Sequence, residues 1–413
     1  MRRSSDPAPR RRLLALCALA TAATSVGLVI GSYDGGGGAG EGQRAGEGQP
    51  PGEEQRAGEG GRGDGRPRSE PAADRLPLEQ QVGQLLVMSF DGAAAPEYIH
   101  RRLRRREGAG VILFAKNAPN ANALRALSAS LQRSAGGGAL VATDQEGGTI
   151  RSVAFAPPEL SQARLGTPAA AREAAAGAAG ALRAAGVNVN LAPVGDVAIP
   201  GSVVAGRAYP GDPAAVGRLV DASVRAHSRQ RVAATVKHFP GLGRARENTD
   251  DVPVTIDAPR AQLERSDLVP FRAASRAGAP LVMTSHALYP AYDGERIASQ
   301  SPDLIERFLR RELGFRGAVV TDSIEADAVL ARSNVAVAAE RAVEAGTDLV
   351  LMTGSGSWNE IYPRLLSRAR ASAPFRARVR QAATRVIALK RRLGLRTPTP
   401  PRRGVDRGRG VNR

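Results

Sequence analysis

Short apolar runs rich in β-branched residues recur at regular intervals through the central part of the chain. There are eight: VGQLLVMSF near residue 82, GVILFAKN near 110, ALVATDQE near 139, VNVNLAPV near 187, AATVKHFP near 233, PLVMTSH near 280, GAVVTDS near 317 and DLVLMTG near 348. Stretches such as PAAAREAAAGAAGALRAAG, whose composition favours helices, separate them. Strands that alternate with helices pair in parallel, and near-continuous apolar runs indicate burial on both faces. The pattern predicts an α/β fold, a (β/α)₈ TIM barrel formed by one domain over residues 75–395.

Polar residues follow these runs at the ends where barrel active sites are built. The residues at or just beyond a predicted strand end are Asp144, Asp196, Lys237, His238, His286 and Asp322. A doubly wound sheet, the main alternative, would need a glycine-rich phosphate loop at its first crossover, and the sequence has none there. The placement of the polar residues therefore favours the barrel.

The chemistry of this rim suits a neutral, polyhydroxylated ligand, because carboxylates and cations both bind hydroxyl groups. Beyond the strand-end residues, the rim includes the carboxylate of Glu146 and the guanidinium groups of Arg151 and Arg207. Two carboxylic groups across a scissile bond are what glycosidic cleavage requires. A metal-dependent hydrolase would use similar residues but would normally have more histidines at strand ends. We therefore rank this class of enzyme second.

The segments outside the predicted barrel have a different character. In residues 1–32, basic Arg10, Arg11 and Arg12 precede an apolar run from Leu13 to about Ile30, which predicts a signal peptide or a membrane anchor. Residues 33–74 are rich in Gly, Glu and Arg, and residues 396–413 are basic and poor in apolar side chains; both are predicted to be disordered. We therefore expect a protein that is secreted or anchored on the extracellular face, touching the membrane only if the first segment stays uncleaved.

Composition excludes several classes of function. The net charge is +18, but lysine occurs only at 116, 237 and 390, so the charge is nearly all arginine, as a bias toward GC-rich codons produces. No nucleic-acid-binding motif accompanies it, and we expect no nucleic-acid partner. The single cysteine, Cys17, excludes a disulfide framework. The four histidines lack the close spacing of a zinc helix, so we expect no metal. We also expect no cofactor and a monomeric protein.

Six motifs, in order and at barrel spacing, give the chain a family resemblance. They are DQEGG (144–148), NLAPVGDV (190–197), GRAYPGDP (206–213), KHFPGLG (237–243), VMTSHALYP (282–290) and GFRGAVVTDS (314–323). From about residue 77 to 395 the chain resembles glycoside hydrolase family 3, in its single-domain β-N-acetylglucosaminidase branch. The resemblance implies a carbohydrate substrate and a retaining mechanism.

The resemblance also implies roles for individual residues. Asp322, in VVTDS, would be the nucleophile that forms a covalent glycosyl-enzyme. The residues that would bind the sugar are Asp144, Arg207, Lys237 and His238, with His286 and Arg151 as weaker candidates. Many branch members carry an arginine four residues after the second glycine of DQEGG, where this chain has Ser152, so Arg151 is one position away from the expected ligand.

One loop departs from the family pattern. After KHFPGxG the branch normally carries Asp-Ser-His or Asp-Thr-His, in which the histidine is the acid/base and the aspartate orients it. The matching triplet here is Asn248-Thr249-Asp250. Asp250 could protonate a leaving oxygen if burial raised its pKa. Alternatively, the site is weakened and the loop, with Arg244 and Arg246, is solvated.

The leading interpretation is an exported, retaining exo-glycosidase that removes terminal β-linked N-acetylglucosamine from cell-wall (peptidoglycan) fragments, with Asp322 and Asp250 as catalytic residues. The N-acetyl preference is expected because family members specific for plain glucose usually draw a carboxyl acid/base from an added domain, for which this chain has no room. The alternatives are a non-catalytic or weakly active wall-saccharide-binding protein of the same fold, and a β-glucosidase-type hydrolase.

Overall fold

A computed structural model describes residues 72–397 and contains the predicted closed barrel. Eight parallel strands follow one another around it, and the last pairs with the first. The strands are β1 (Leu86–Met88), β2 (Gly110–Leu113), β3 (Leu140–Thr143), β4 (Val189–Asn190), β5 (Ala233–Phe239), β6 (Leu281–Thr284), β7 (Ala318–Ser323) and β8 (Leu349–Leu351). Each strand lies in one of the eight apolar runs of the sequence. The prediction of a (β/α)₈ barrel is confirmed.

Helices surround the barrel and connect its strands. The α-helices are Leu78–Gly83, Glu97–Arg105, Ala121–Ser134, Pro168–Ala184, Pro213–Arg229, Arg260–Arg265, Val269–Arg276, Asp327–Leu330, Val335–Ala345, Trp358–Ala371 and Ala373–Arg392, and Asp303–Glu312 is π-helical. Short 3₁₀ turns cover Ala72–Arg75, Ala115–Asn117, Gln162–Arg164 and Ala298–Gln300. Two antiparallel hairpins sit in the loops after β3 and β6: Gln145–Gly147 with Ile150–Arg151, and Leu288–Tyr289 with Asp293–Ile297.

Side-chain caps fix where several of these helices begin. The side chains of Thr167 and Asp212 each accept a hydrogen bond from a backbone N–H in the first turn of the helix that follows, and a proline occupies the first turn in both cases. Such a cap satisfies an N–H that has no partner within the helix, and proline suits the position because it lacks one. Local sequence therefore sets these two helix starts.

The barrel interior is filled by apolar side chains and is not a pore. Val189, Leu281 and Val320 are buried there, and Val386 and Leu389 of the helix Ala373–Arg392 join the same cluster. Packed layers of branched side chains are typical of this fold. A ligand must therefore bind above this core, at the carboxyl ends of the strands.

The described residues refine one predicted boundary and leave others as predictions. The segment predicted to be disordered extends to residue 74, whereas Ala73 is fully buried and belongs to a 3₁₀ turn. The predicted signal or anchor, most of the linker and nearly all of the basic tail lie outside residues 72–397. Within that range, no helix is both long and apolar enough to span a membrane.

Candidate active site

A cluster of ion pairs forms where β3 and β5 end. Lys237 Nζ lies 2.6 Å from Asp144 Oδ1 and 2.7 Å from Glu146 Oε1. Arg207 grips the same Glu146 through two bonds, Nε to Oε2 at 2.9 Å and a terminal guanidinium nitrogen to Oε1 at 2.7 Å. Asp144 directly follows β3, and Lys237 lies within β5. The fold thus brings together residues up to 93 positions apart in the chain.

Mutual attraction keeps this cluster charged. Burial alone would raise the pKa of Glu146, but Lys237 and Arg207 outweigh it and lower that pKa to about 2. Burial likewise opposes the charge on Lys237, and the adjacent Asp144 and Glu146 raise its pKa above its usual value. Glu146 is fully engaged and stays ionised at neutral pH, so it does not serve as a proton donor. The cluster presents fixed charges suited to hydroxyl groups of a ligand.

His238 is held by a carboxylate below it. Its Nδ1 donates to Asp196 Oδ2 at 2.7 Å, and Asp196 Oδ1 accepts the backbone N–H groups of His238 at 3.1 Å and Leu242 at 2.7 Å. Because the Asp196 carboxylate can only accept, a ring proton sits on Nδ1, and Nε2 points to the other side of the ring. That Nε2 lies 3.7 Å from Asp322 Oδ2.

Asp322 lies in β7, and its carboxylate is oriented by its own neighbour: Oδ1 accepts the backbone N–H of Ser323 at 2.8 Å. Burial alone would raise the pKa of Asp322, but His238 and His286 outweigh it and lower that pKa below its usual value. An ionised carboxylate is what a nucleophile needs.

His286 does not line the ligand cavity. It is fully buried, its Nε2 lies 2.8 Å from the Ser323 carbonyl, and its Nδ1 lies 2.8 Å from Ser299 Oγ. Burial lowers the pKa of His286, so the ring is neutral, with Nε2–H donating to the carbonyl and Nδ1 accepting from the hydroxyl. The sequence predicted a sugar contact, but the side chain instead holds the Ser323 peptide next to Asp322.

The loop after β5 is anchored rather than solvated. Arg244 donates to Asp267 at 3.0 Å, and Asp267 is fully buried. The Asp250 carbonyl accepts the backbone N–H of Asp327 at 3.0 Å, which fastens the far end of the loop to the segment after β7. Of the two arginines that suggested a solvated loop, only Arg246 is exposed. The loop therefore has a defined position.

Asp250 is the acidic residue that this loop brings to the cavity; Glu247 and Asp251 do not line it. Asn248 Nδ2 donates to Asp250 Oδ2 at 3.2 Å. Partial desolvation against the cavity wall, and then the charge of Asp322, raise the pKa of Asp250 above its usual value. Its outer edge remains exposed to solvent. A carboxyl with a raised pKa that water can still reach suits proton transfer.

These groups surround one cavity of about 690 Å³ at the carboxyl ends of the strands. The apolar side chains of Leu191, Met283 and Leu351, from the top of the barrel core, line it. The predicted site residues that line it are Asp144, Arg151, Arg207, Lys237, His238, Asp250 and Asp322. Seven of the eight predicted residues thus share one cavity, and His286 lies behind its wall.

The sequence did not assign a role to several residues that form the site. Glu146 was placed on the rim without a partner, although it lies beside the predicted ligand Asp144 in DQEGG. Asp196 was noted only as a strand-end residue. Glu325 and Thr353 were missed: both line the cavity, and Thr353 donates its N–H to Glu325 Oε2 at 2.9 Å. Their positions just after β7 and β8 were the available signal. Within residues 72–397, no three His, Cys, Asp or Glu side chains group as metal ligands would.

Two carboxyls that face one cavity, with their pKa values moved in opposite directions, can act as nucleophile and acid on a glycosidic bond. Apolar side chains of the barrel core line the bottom of this cavity, and the cations Lys237 and Arg207 line its side. This combination of fold and site defines a glycoside hydrolase.

Sequence comparison gives the family. Residues 77–389 match the model described as the glycosyl hydrolase family 3 N terminal domain. The chain belongs to glycosyl hydrolase family 3. A protein of Arthroderma benhamiae described as an uncharacterized secreted glycosyl hydrolase is 34% identical over 339 residues, which cover 77% of this chain and 94% of that protein.

Two further relatives are named for their activity. A beta-hexosaminidase of Xanthomonas oryzae pv. oryzae is 37% identical over 254 residues, which cover 59% of this chain and 76% of that protein. The structure of a glycoside hydrolase family 3 beta-N-acetylglucosaminidase from Paenibacillus sp. str. FPU-7 aligns with a TM-score of 0.74 at 34% identity. That alignment covers 80% of this chain and 65% of the Paenibacillus chain, so this chain spans slightly under two thirds of its length.

Proposed function

We propose that the protein is an exported, retaining exo-glycosidase that hydrolyses terminal β-linked N-acetylglucosamine, and that cell-wall fragments are its substrate. One observation carries the catalytic part of the proposal: Asp322 and Asp250 line the same cavity, one with a lowered and one with a raised pKa. The names of the Xanthomonas and Paenibacillus relatives support the N-acetyl sugar. The basic and apolar N-terminal segment, with a relative described as secreted, supports export.

The proposed first step is a displacement at the anomeric carbon. An Asp322 oxygen attacks this carbon, the bond to the leaving oxygen breaks, and the carboxyl proton of Asp250 passes to that oxygen. In the second step Asp250, now ionised, takes a proton from water as the water attacks the same carbon and releases Asp322. Lys237, Arg207 and Asp144 would hold sugar hydroxyl groups, with Arg151 as a further contact.

The roles of the two aspartates can be separated by the leaving group. Asp322→Ala should reduce activity by several orders of magnitude with every substrate, because the covalent route is lost. Asp250→Ala should largely spare release of 2,4-dinitrophenolate, which leaves unprotonated, but slow cleavage of a sugar–sugar bond by roughly 10²–10⁴-fold. Added azide should restore turnover of Asp250→Ala and yield a β-glycosyl azide. The matched control, Glu247→Ala, removes a loop carboxylate outside the cavity and should retain activity.

Uniform losses across leaving groups, with no azide product, would exclude Asp250 as the acid/base. If the unmodified protein bound oligosaccharide but showed only background hydrolysis, and neither aspartate substitution changed that background, the chain would be a saccharide-binding member of the family. Trapping with a mechanism-based fluorosugar followed by peptide mapping should label Asp322.

Sugar specificity requires its own comparison. The protein should release 4-nitrophenol faster from the β-N-acetylglucosaminide than from the β-glucoside, measured as kcat/KM on both. An equal or reversed preference would contradict the N-acetyl assignment and favour a β-glucosidase-type hydrolase, without affecting the roles of the two aspartates.

A further inference from the structure

A second cavity, of about 610 Å³, lies between three helices outside the barrel strands. Residues of Pro168–Ala184, Pro213–Arg229 and Val269–Arg276 line it, and none of them lines the active-site cavity. Small side chains such as Gly217 and Ala273 are part of its lining. Five arginines also line it, and we call it the arginine groove: Arg172, Arg218, Arg225, Arg229 and Arg276.

The charge of the arginine groove is largely uncompensated. Asp221 is the carboxylate in its lining, and Arg225 engages it through two bonds of 2.8 and 3.0 Å. The other four groove arginines form no ion pair with any residue in 72–397. Five arginines and one aspartate leave a formal charge of +4. Some exposed arginines elsewhere in residues 72–397 have carboxylate partners, such as Arg104 with Glu97, Arg364 with Glu340, and Arg370 with Glu79. Others, such as Arg101 and Arg105, form no ion pair within that range, but they do not line the groove.

The arginine-rich composition explains why the protein has many arginines. It does not explain why five of them line one cavity in which Asp221 is the single carboxylate. Like charges gathered in one place repel one another and disfavour the folded state unless an anion offsets them. Guanidinium groups bind phosphate and carboxylate oxygens in pairs, so a row of them is suited to a ligand with several anionic groups.

The arrangement fits an elongated ligand. Arg218, Arg225 and Arg229 stand at i, i+7 and i+11 along one face of a helix and span about 16 Å at 1.5 Å per residue. Arg172 and Arg276 flank this row from the neighbouring helices. A single small anion would contact only part of such a row, whereas a linear chain of charges can contact all of it.

The lining also indicates what the ligand lacks. Apart from the charged residues, the groove is lined by Pro, Ala, Gly and Val, with no aromatic side chain. Proteins that bind single-stranded nucleic acids stack bases on aromatic rings, and this groove offers none. We propose that the arginine groove binds a linear polyanion with phosphate or phosphodiester charges and no aromatic bases. On an exported hydrolase, such a site would hold the enzyme on an anionic polymer near its substrate.

Titration calorimetry of the full-length protein with inorganic polyphosphate of defined length tests the proposal. The groove variant is Arg218→Gln/Arg229→Gln/Arg276→Gln. The matched control, Arg104→Gln/Arg364→Gln/Arg370→Gln, removes the same charge from paired surface positions. We expect the groove variant to bind at least tenfold more weakly and the control to stay within threefold of the unmodified protein. The slope of log K against log salt should fall by about 2 in the groove variant alone, since each phosphate contact contributes about 0.7 for a single-stranded polyanion.

Two results would overturn the proposal. Equal weakening in both triple variants would show that diffuse net charge binds the polymer. Tighter binding of oligo(dT) than of polyphosphate with the same number of charges would show that bases contribute. Thermal melts of both variants should show that they are folded. Hydrolysis of a 4-nitrophenyl glycoside should be unchanged in both, so a failure of the groove is distinguishable from a failure of the proposed activity.

Discussion

Asp196 lies beneath His238, and its Oδ2 accepts a hydrogen bond of 2.7 Å from the Nδ1 of that ring. The same carboxylate accepts the backbone N–H groups of His238 and Leu242, so one buried side chain fixes both the imidazole and the start of the loop that carries Asp250. Nε2 of His238 is thereby directed toward Asp322 Oδ2, 3.7 Å away. Orientation of the site thus depends on a residue that does not itself line the cavity.

Replacing Asp196 by asparagine should impair catalysis. The amide keeps one acceptor oxygen where the carboxylate has two, so it cannot serve both the imidazole and the backbone N–H groups. We expect kcat/KM to fall by roughly 10²-fold, as when a group that positions the substrate is displaced by about 1 Å. The control is Asp212→Asn, at a helix N-cap where the two residues are equivalent. A lower melting temperature with unchanged kcat/KM would contradict the orienting role.

Glu146→Gln should destabilise the protein. Glu146 is the buried carboxylate shared by Lys237 and Arg207, and its loss leaves two cations facing each other. Breaking a buried ion pair costs about 3–5 kcal/mol. The free energy of unfolding in urea at pH 7 should fall by that amount, whereas Glu97→Gln, at an exposed pair with Arg104, should change it by less than about 1 kcal/mol. Similar small losses in both variants would refute this account.

The Glu146 contribution should also depend on pH. Because the folded pKa of about 2 lies below the ordinary 4.5, the stabilisation is fully present above pH 4.5 and is lost as the pH falls toward 2. The difference in stability between the unmodified protein and Glu146→Gln should therefore shrink over that range. A difference that stays constant from pH 5 to pH 2.5 would contradict the assigned pKa direction.

Asn248→Asp tests the acid directly. Asn248 now donates to Asp250, and the substitution replaces this donor with a negative charge at hydrogen-bonding distance. The pKa of Asp250 should rise further, and the alkaline limb of the kcat/KM profile should move up by about one unit. Asp251→Asn, on a neighbouring carboxylate outside the cavity, should leave the limb in place. An unmoved limb in Asn248→Asp would rule out Asp250 as the group that titrates.

His227 should make the protein acid-sensitive. It is buried between the Ser223 carbonyl and Asn190, and burial lowers the pKa of His227 from 6.5 to about 4. Above pH 6.5 the ring is neutral in both folded and unfolded states. As the pH falls from 6.5 to 4 only the unfolded chain takes up the proton, so stability drops by about 3 kcal/mol at most. In urea unfolding, the stability of His227→Gln should decline less steeply over this pH range than that of the unmodified protein. An identical decline would contradict the assignment of this acid sensitivity to His227.

The sequence by itself determined the barrel and the positions of its strand-end residues. Apolar runs reveal strands because backbone geometry and burial act locally, and parallel pairing then puts every carboxyl end at one rim. Asp144, Lys237, His238 and Asp322 could therefore be predicted together, since each lies at such an end. The family motifs supplied the roles that spacing alone could not.

The tertiary structure alone decided how these groups are paired and which way they face. Arg207 reaches Glu146 across 61 positions while still lining the cavity. His286 also looked like a ligand from the sequence, but it turns away from the cavity toward the Ser323 carbonyl. Whether the loop of Asp250 was solvated depended on the distant Asp267. The arginines of the groove were indistinguishable from the many others until three helices brought them together. The charge state of a side chain and the direction in which it points depend on burial and on neighbours that are distant in sequence. The local pattern of apolar and polar residues does not encode either of them.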